Sequence, residues 1–187
     1  MDVNEAIRTR RTVKAFTPEP LIRAQLEELF DLARWAPNHK LTGPWRFRVI
    51  GPRALEKLKA AETRRAREDA PEGADLAAIG AASAAKLDRA PTLVVVSCLH
   101  NPDPVLDAED EHATAVAAYI VLLAAHDRGL AGYWRTPAVL RDPDGLAAVG
   151  VPDGEKILGL LHLGRPAQAL GEPPARSETG SFVTFLD

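Results

Sequence analysis

The spacing of apolar and polar residues along the chain predicts a mixture of short strands and amphipathic helices. Between Ile22 and Ala33 apolar side chains recur every three to four residues, which is the pattern of a helix with one buried face. In Trp45–Ile50 the apolar residues alternate with two arginines, which predicts a strand buried on one side. Thr92–Ser97 and Ile157–Leu163 are largely apolar on both faces, so we expect them to be central strands of a sheet.

The remaining elements follow from weaker patterns. Further helices are predicted over 2–8, 53–67, 73–89, 111–127 and 137–149. Further strands are predicted over 130–134 and 181–186. The acidic stretch 100–110 contains two prolines and is predicted to be a loop.

Strands mixed irregularly with helices predict one three-layer α/β or α+β domain that spans residues 1–187. Neither an internal repeat nor a low-complexity linker divides the chain. The late strand 181–186 follows roughly fifteen polar and turn-forming residues, which is a long connection for a compact domain. The tail alone leaves two interpretations open: a local edge strand, or a strand that pairs with the sheet edge of a second chain.

Composition narrows the class of protein. Apolar residues make up 46% of the 187 residues and charged residues 26%, which is typical of a globular domain. No apolar run is long enough to span a bilayer, and the acidic N-terminus lacks the apolar core of a signal peptide. The single cysteine, Cys98, excludes an internal disulfide framework and fits a reducing compartment. We therefore expect a cytoplasmic protein that has no contact with membranes.

The net charge of −3 conceals an asymmetry between the two parts of the chain. Residues 1–68 carry a net charge of +6, and residues 69–187 carry −9. A basic N-terminal third could bind nucleic acid or a small anion, or it could reflect surface composition alone. The pI of about 6.0 and the lack of a basic stripe with interleaved aromatic residues argue against nucleic acid.

Several kinds of chemistry have no support in the sequence. The chain lacks the glycine-rich nucleotide loops, the serine-hydrolase elbow, paired cysteines and the zinc-protease motif. Cys98 ends an apolar strand, where a cysteine is most often a small buried side chain. The acidic and histidine residues between His100 and His112 have no recognised metal-ligand spacing, so we predict a solvated acidic loop and no metal site.

A cluster of cations follows the first predicted helix. This basic segment, Arg10–Lys14, carries cations on Arg10, Arg11 and Lys14 and a hydroxyl on Thr12. Arginine offers a bidentate fork to a phosphate, and lysine offers a point charge. The segment therefore suits a phosphate or another delocalised anion, although a solvated basic turn would have the same composition.

Aromatic and cationic side chains also stand at the ends of other predicted elements. They are Trp35 and His39 beside a loop rich in proline and glycine, Trp134, Arg135 and Thr136 at one strand end, and Arg165 at another. Each stretch alone is compatible with ordinary packing. Together with the basic segment, they describe a site for a ligand that is flat, aromatic and anionic.

Four motifs carry a resemblance to a known family. They are Arg10–Phe16, Ala36–Lys40 with Pro44–Phe47, Gly129–Thr136 and Leu163–Pro166. In their order and spacing, and over nearly the whole chain, they resemble the FMN-dependent nitroreductase family in its short, YdjA-like form. Two positions depart from that pattern, because Trp35 stands where a polar or basic residue is expected and Leu41 stands where some members have asparagine.

The resemblance implies a fold and an assembly. It implies an α+β domain in three α/β/α layers, with a central, mostly antiparallel sheet flanked by helices. It also implies an intertwined homodimer in which the C-terminal strand crosses to the partner, with two FMN molecules at the subunit interface.

The resemblance also implies roles for individual residues. Arg10, Thr12 and Arg165, joined by Arg11, would hold the phosphate and ribityl chain of FMN. Lys14 would lie near the N1/O2 edge of the flavin, and Trp134, Arg135 and Thr136 would line the ring. Trp35 and His39 would be supplied by the other subunit.

The implied activity is an NAD(P)H-dependent oxidoreductase with ping-pong transfer of a hydride to FMN and on to a nitroaromatic, a quinone or a similar acceptor. The flavin carries the chemistry, so no side chain is expected to act as acid, base or nucleophile. Three alternatives stay open at this point: a flavin-binding or storage module, a relative that uses FMN on a different substrate, and a basic protein that binds a nucleotide or nucleic acid without flavin.

Overall fold

A computed structural model describes residues 1–186. The helices are α1 (Val3–Thr9), α2 (Arg23–Ala33), α3 (Pro52–Glu68), α4 (Leu76–Ala84), α5 (Pro104–Asp127) and α6 (Pro143–Val149). The strands are β1 (Trp45–Val49), β2 (Thr92–Leu99), β3 (Ala131–Arg135) and β4 (Glu155–Gly164). Short 3₁₀ turns occur at His39–Leu41, Ala85–Leu87, Ala138–Arg141 and Thr179–Ser181.

The four strands form one sheet in the order β1-β2-β4-β3, and every neighbouring pair is antiparallel. The apolar runs of β2 and β4 therefore occupy the centre, as their sequence predicts, whereas β1 and β3 are the edges. A register shift between Val96 and Ser97 places Gly159 opposite Val96 and Ile157 opposite Ser97, so Leu158 is the extra residue of a bulge in β4.

Helices cover both faces of the sheet, which confirms the predicted α+β architecture in three layers. On one face, α2 and α5 bury residues such as Leu29, Val121 and Ala125 against the inward side chains of β2 and β4. On the other face, α3 and α6 bury Leu58 and Val149 against the opposite side chains of the same strands. Within residues 1–186, no helix is both long and apolar enough to cross a membrane.

Helix α5 begins earlier than the sequence predicted, so the expected loop over 100–110 is wrong. Asp103 caps the helix, because its Oδ1 accepts hydrogen bonds from the backbone N–H groups of Val105 and Leu106 at 2.9 and 3.4 Å. Pro104 occupies the first helical position, where proline is favoured because no N–H donor is needed there. The proline and acidic residues that indicated a loop thus form the N-cap and first turn of a helix.

The late strand predicted over 181–186 is not a strand within the single chain. Thr179–Ser181 forms a 3₁₀ turn, and the described residues after it are exposed and irregular. A strand needs a neighbour for its backbone hydrogen bonds, and this tail lies on no sheet edge of its own chain.

Candidate cofactor site

The basic segment lies along the β3 edge of the sheet. Thr12 forms a parallel bridge with Gly132, and Phe16 forms an antiparallel bridge with Pro166. The backbone N–H of Thr17 donates to the carbonyl of Arg165 at 2.9 Å. The segment is thereby held between β3 and the chain that leaves β4, which brings three of the four sequence motifs to one edge.

Gly132 permits this close packing. An added Cβ at residue 132 would lie 2.7 Å from Leu163 Cδ2 and 2.8 Å from the carbonyl oxygen of His162. A side chain at this position would therefore push β3 away from the strand or helix beside it. Replacement of Gly132 would disturb the strand that pairs with Thr12.

Five cations on the chain segments at this edge form no ion pair with any carboxylate that the structure describes. They are Arg10, Arg11, Lys14, Arg135 and Arg165. Elsewhere, arginines form ion pairs such as Arg48 with Glu155 at 2.7 Å, but within residues 1–186 no carboxylate oxygen lies within 4.0 Å of these five. Glu19 interacts electrostatically with Arg165 and Glu172 lines the same edge, but neither forms an ion pair with these cations. Cations without ion-pair partners are compatible with an anion site.

Buried hydrogen-bond donors without partners also indicate a ligand site at this edge. The buried Nε atoms of Arg10 and Arg11 and the buried Nη1 of Arg135 have no hydrogen-bond partner in the described part of the chain. Buried donors are normally paired, so free ones mark places where a ligand or solvent completes the structure. The donor set of arginines, a lysine and the exposed Thr12 hydroxyl fits a phosphate ester.

A cleft of about 270 Å³ opens beside the basic segment. Residues 11–15 line one wall, and residues 168–172 of the tail line the other. Thr12 and Lys14 are exposed here, so both can reach a molecule in the cleft.

Trp134 and Arg135 leave β3 on opposite faces of the sheet, because side chains alternate along a strand. Trp134 is half-buried and packs against the core on the α2/α5 face. Its Nε1–H donates to the carbonyl of Leu158 at 3.2 Å, which fixes the indole over the β4 bulge. Arg135 lies on the face of Tyr133, and Thr136 follows as an exposed residue.

An aromatic column that the sequence did not reveal supports the site from the core. The Tyr133 ring stacks on His162 with centroids 4.3 Å apart, and Phe16 stacks on Tyr133 at 6.4 Å. Phe16 comes from the same connector as the basic segment, so the column joins that connector to β3 and β4. Only the presence of a histidine within the apolar run Ile157–Leu163 could have signalled it.

The structure places Trp35 and His39 against other elements. Trp35 follows the C-cap of α2, has 72% of its surface exposed and lies beside α1 and α5. His39 Nδ1 lies 2.7 Å from Glu109 Oε2 of α5. Neither residue lines the cleft at the β3 edge within one chain, so their predicted contact with a flavin requires a second subunit.

The acidic residues at the start of α5 are engaged in ion pairs rather than arranged as ligands. Asp107 is paired with Lys156 and with His100, and the hydrogen bond from Lys156 is the main reason that the pKa of Asp107 falls to about 2. Within the part of the chain that the structure describes, no group of three potential metal ligands occurs.

Comparison with known proteins identifies the class to which this fold and site belong. The model of the Nitroreductase family matches residues 7–165. The Escherichia coli K12 protein named "Putative NAD(P)H nitroreductase YdjA" is 32% identical over 188 residues, a match that covers 100% of both chains. The chain therefore belongs to the nitroreductase family.

Solved structures agree with this assignment. A nitroreductase-like family protein from Bacillus cereus superposes with a TM-score of 0.85 at 26% identity, covering 100% of this chain and 97% of that one. The FMN- and NADPH-dependent nitroreductase NfnB from a Sphigopyxis strain superposes with a TM-score of 0.79 over 100% of both chains. At 19% identity, the second likeness establishes a shared fold.

Proposed function

We propose that this protein is an NAD(P)H-dependent FMN oxidoreductase of the nitroreductase type. The observation that carries the proposal is the set of five cations at the β3 edge, which have no carboxylate partner among the described residues and include buried donors that no protein atom satisfies. Family membership and the names of similar proteins point to FMN as the cofactor, and its phosphate suits the cations of this edge.

In this proposal the phosphate of FMN is bound by Arg10, Thr12 and Arg165, with Arg11 beside them. Guanidinium groups bind phosphate through two parallel hydrogen bonds, and the Thr12 hydroxyl adds a third kind of donor. These contacts would anchor the cofactor at the chain segment that bridges to β3 and to the chain after β4.

The flavin ring would be bound by the other residues of the site. Lys14 faces the N1/O2 edge, where a cation favours the negative charge that develops when a flavin is reduced. Trp134, Arg135 and Thr136 line the ring, while Trp35 and His39 of a second subunit cover it. Bound FMN supplies hydride chemistry, so these side chains bind, orient and electrostatically tune the cofactor rather than react.

The proposed electron donor is NADH or NADPH, and the proposed acceptors are nitroaromatics or quinones. A single pocket beside the flavin would be used in turn by donor and acceptor, which predicts ping-pong kinetics. The names of the relatives specify NAD(P)H and nitro compounds, and quinones are proposed as acceptors of the same electron-accepting kind. We also propose a cytoplasmic location, in keeping with the free thiol of buried Cys98.

The test measures the two half-reactions separately in a stopped-flow instrument. FMN-loaded protein is first mixed without oxygen with NADH or NADPH, and the reduced protein is then mixed with nitroaromatics and quinones. We expect reduction by at least one nucleotide, reoxidation by the acceptors, and slower reduction in Lys14→Ala. Unchanged reduction in that variant would contradict the role of Lys14, and a flavin that no nucleotide reduces would favour a storage module.

We further propose that the working unit is a homodimer with FMN at the interface. Exposed apolar residues that include Val3, Leu32 and Trp35 surround a hollow of about 400 Å³ between α1, the end of α2 and α5. Contiguous exposed apolar surface of this kind marks an interaction site. A second copy placed here would also bring Trp35 and His39 to a flavin that each chain alone leaves uncovered.

The C-terminal tail would complete the dimer at the other edge of the sheet. Phe182 and Phe185 are 70% and 91% exposed in the single chain. The free edge of β1 adjoins an apolar groove of about 520 Å³ lined by Leu21, Leu26 and Phe30. Addition of a strand to a sheet edge satisfies its backbone groups, so we propose that the partner's tail docks here.

Truncation of the chain before Ser181 tests this arm. Because two large aromatic side chains would lose their burial, we expect the dimer dissociation constant to rise at least about tenfold in sedimentation equilibrium. Leu76→Ser, an exposed apolar change on α4, serves as the control and should leave the dissociation constant unchanged. A truncated chain that dimerises as tightly as the full chain would rule out the crossing tail.

A further inference from the structure

The C-terminal end of α5 holds the helix that leads into the basic segment. Met1 places its terminal ammonium 3.2 Å from Asp127 Oδ1, at the last residue of α5. Thr9, the last residue of α1, lies with its Oγ1 2.7 Å from His126 Nε2. Both ends of α1 are therefore tied to one turn of α5, and Arg10 follows directly after the second tie.

The direction of the Thr9–His126 hydrogen bond follows from proton counting. The Thr9 hydroxyl donates its one proton to the carbonyl of Glu5 at 2.6 Å. Its oxygen must then accept from His126 Nε2–H. His126 is buried, and this burial, reinforced by repulsion from Arg10 and Arg11, lowers its pKa, while Asp127 and Glu5 oppose the shift. A neutral imidazole that carries its proton on Nε2 meets these requirements.

A second contact reaches the first arginine itself. The Arg10 guanidinium carbon lies 5.9 Å from the centroid of the Tyr119 ring, which is within the range of a cation–π contact. Tyr119 and His126 are seven residues apart on α5, so they lie two turns apart on one face of the helix. One helix face thus contacts both Thr9 and Arg10.

The side chain of Arg11 is held by the local backbone. Arg11 Nη1 donates to the carbonyls of Arg8 and Arg10 at 2.7 and 2.9 Å. These hydrogen bonds use one nitrogen of Arg11 and leave its buried Nε without a partner in the described chain, as is the case for Arg10. The position of both free donors therefore depends on where α1 ends.

We propose that His126 and Tyr119 are positioning residues for the cofactor phosphate: they act through Thr9 and Arg10 to place the arginines of the basic segment. The inference rests on the proposed function, since it concerns the phosphate end of FMN. It predicts that these two α5 residues affect binding of FMN but not binding of riboflavin, which is the same ring system without the phosphate.

The test compares equilibrium binding of FMN and riboflavin to the full-length apoprotein, with Arg10→Ala as the reference for a lost phosphate contact. For His126→Leu we expect about tenfold weaker FMN binding, because a displaced Arg10 would lose one charge-assisted hydrogen bond to the phosphate. Riboflavin binding should stay within about twofold of the wild type. His126→Gln keeps a donor near the Nε2 position and should restore FMN binding to within about threefold of the wild type.

Four further variants keep the test decisive. Thr9→Val removes the acceptor with little change of shape and should reproduce the selective loss of FMN if His126→Leu does not fold. Tyr119→Leu should weaken FMN binding about threefold, whereas Tyr119→Phe retains the ring face and should not. Leu58→Ala destabilises the opposite core without touching α5 and should change the FMN-to-riboflavin ratio in neither direction.

Equal losses of FMN and riboflavin affinity in the His126 and Thr9 variants would show a merely structural role and overturn the inference. Unchanged FMN affinity in both variants would overturn it as well. A wild-type protein that binds FMN no more tightly than riboflavin would refute the phosphate role of the basic segment itself. That last result is seen without any variant, so failure of the proposed function is distinguishable from failure of the positioning role.

Discussion

Replacement of Gly159 by alanine is expected to destabilise the fold by about 3 kcal/mol or more and to displace Trp134 from the site. A Cβ at residue 159 would lie 2.1 Å from Trp134 Nε1 and 2.6 Å from the carbonyl oxygen of Arg135. Neither atom can yield easily, because the indole is hydrogen-bonded to Leu158 and the carbonyl belongs to β3. The glycine is thus what allows two of the proposed ring-lining residues to approach the β4 bulge.

Thermal unfolding measures this effect. For a domain of this size, 3 kcal/mol corresponds to a fall in Tm of roughly 6–12 °C. Gly51→Ala is the matched control, because its Cβ would meet no atom within 4 Å; as a helix N-cap it should cost no more than about 1 kcal/mol. Acrylamide quenching of tryptophan fluorescence reports the displacement. A Gly159→Ala protein as stable as the Gly51→Ala protein would contradict the packing described for Trp134.

Removal of the buried imidazole of His162 is expected to make the fold markedly less sensitive to acid. His162 is fully buried between strands, and neither ring nitrogen has a hydrogen-bond partner in the described chain. Burial, followed by repulsion from Arg135 and Arg89, lowers its pKa from 6.5 to about 3. In the unfolded chain the same histidine takes up a proton below about pH 6.5, so the unfolding free energy falls as pH drops from about 6.5 towards 3.

Urea denaturation of the wild type and of His162→Phe at pH 7 and pH 5 isolates this contribution. The phenylalanine keeps an aromatic ring against Tyr133 but cannot bind a proton. The wild type should lose about 2 kcal/mol more than the variant between the two pH values. His112→Gln, which changes an exposed histidine, should retain the wild-type loss. Equal pH dependence in the wild type and His162→Phe would show that His162 is protonated in the fold or does not become protonated on unfolding.

Much of the architecture was predictable because it depends on local periodicity. The alternating pattern of Trp45–Ile50 predicted a strand buried on one side, and the apolar runs of β2 and β4 predicted central strands; the structure confirms the three strands and the central position of β2 and β4. The basic segment was recognisable because its cations are contiguous. That Arg135 and Arg165 join it depends on the strand order β4-β3, which periodicity does not specify.

The features that sequence reasoning missed depend on contacts between distant residues. The role of Gly159 follows from the position of the Trp134 indole, 25 residues away in sequence. The stacking of His162 on Tyr133 and its repulsion from Arg135 follow from the pairing of β3 with β4. The start of α5 was mistaken for a loop because aspartate and proline favour both turns and helix N-termini. The proposed roles of Trp35, His39 and the tail depend on a second subunit, so the structure of one chain does not test them.

An anaerobic spectrophotometric titration shows whether the protein binds an FMN that NAD(P)H can reduce. Protein reconstituted with FMN is mixed with NADH or NADPH in the absence of oxygen, and the visible absorbance of the flavin is followed. We expect at least one nucleotide to bleach the bound flavin completely at one equivalent per FMN. A protein that binds no FMN, or a bound FMN whose spectrum neither nucleotide changes, would contradict the proposed function.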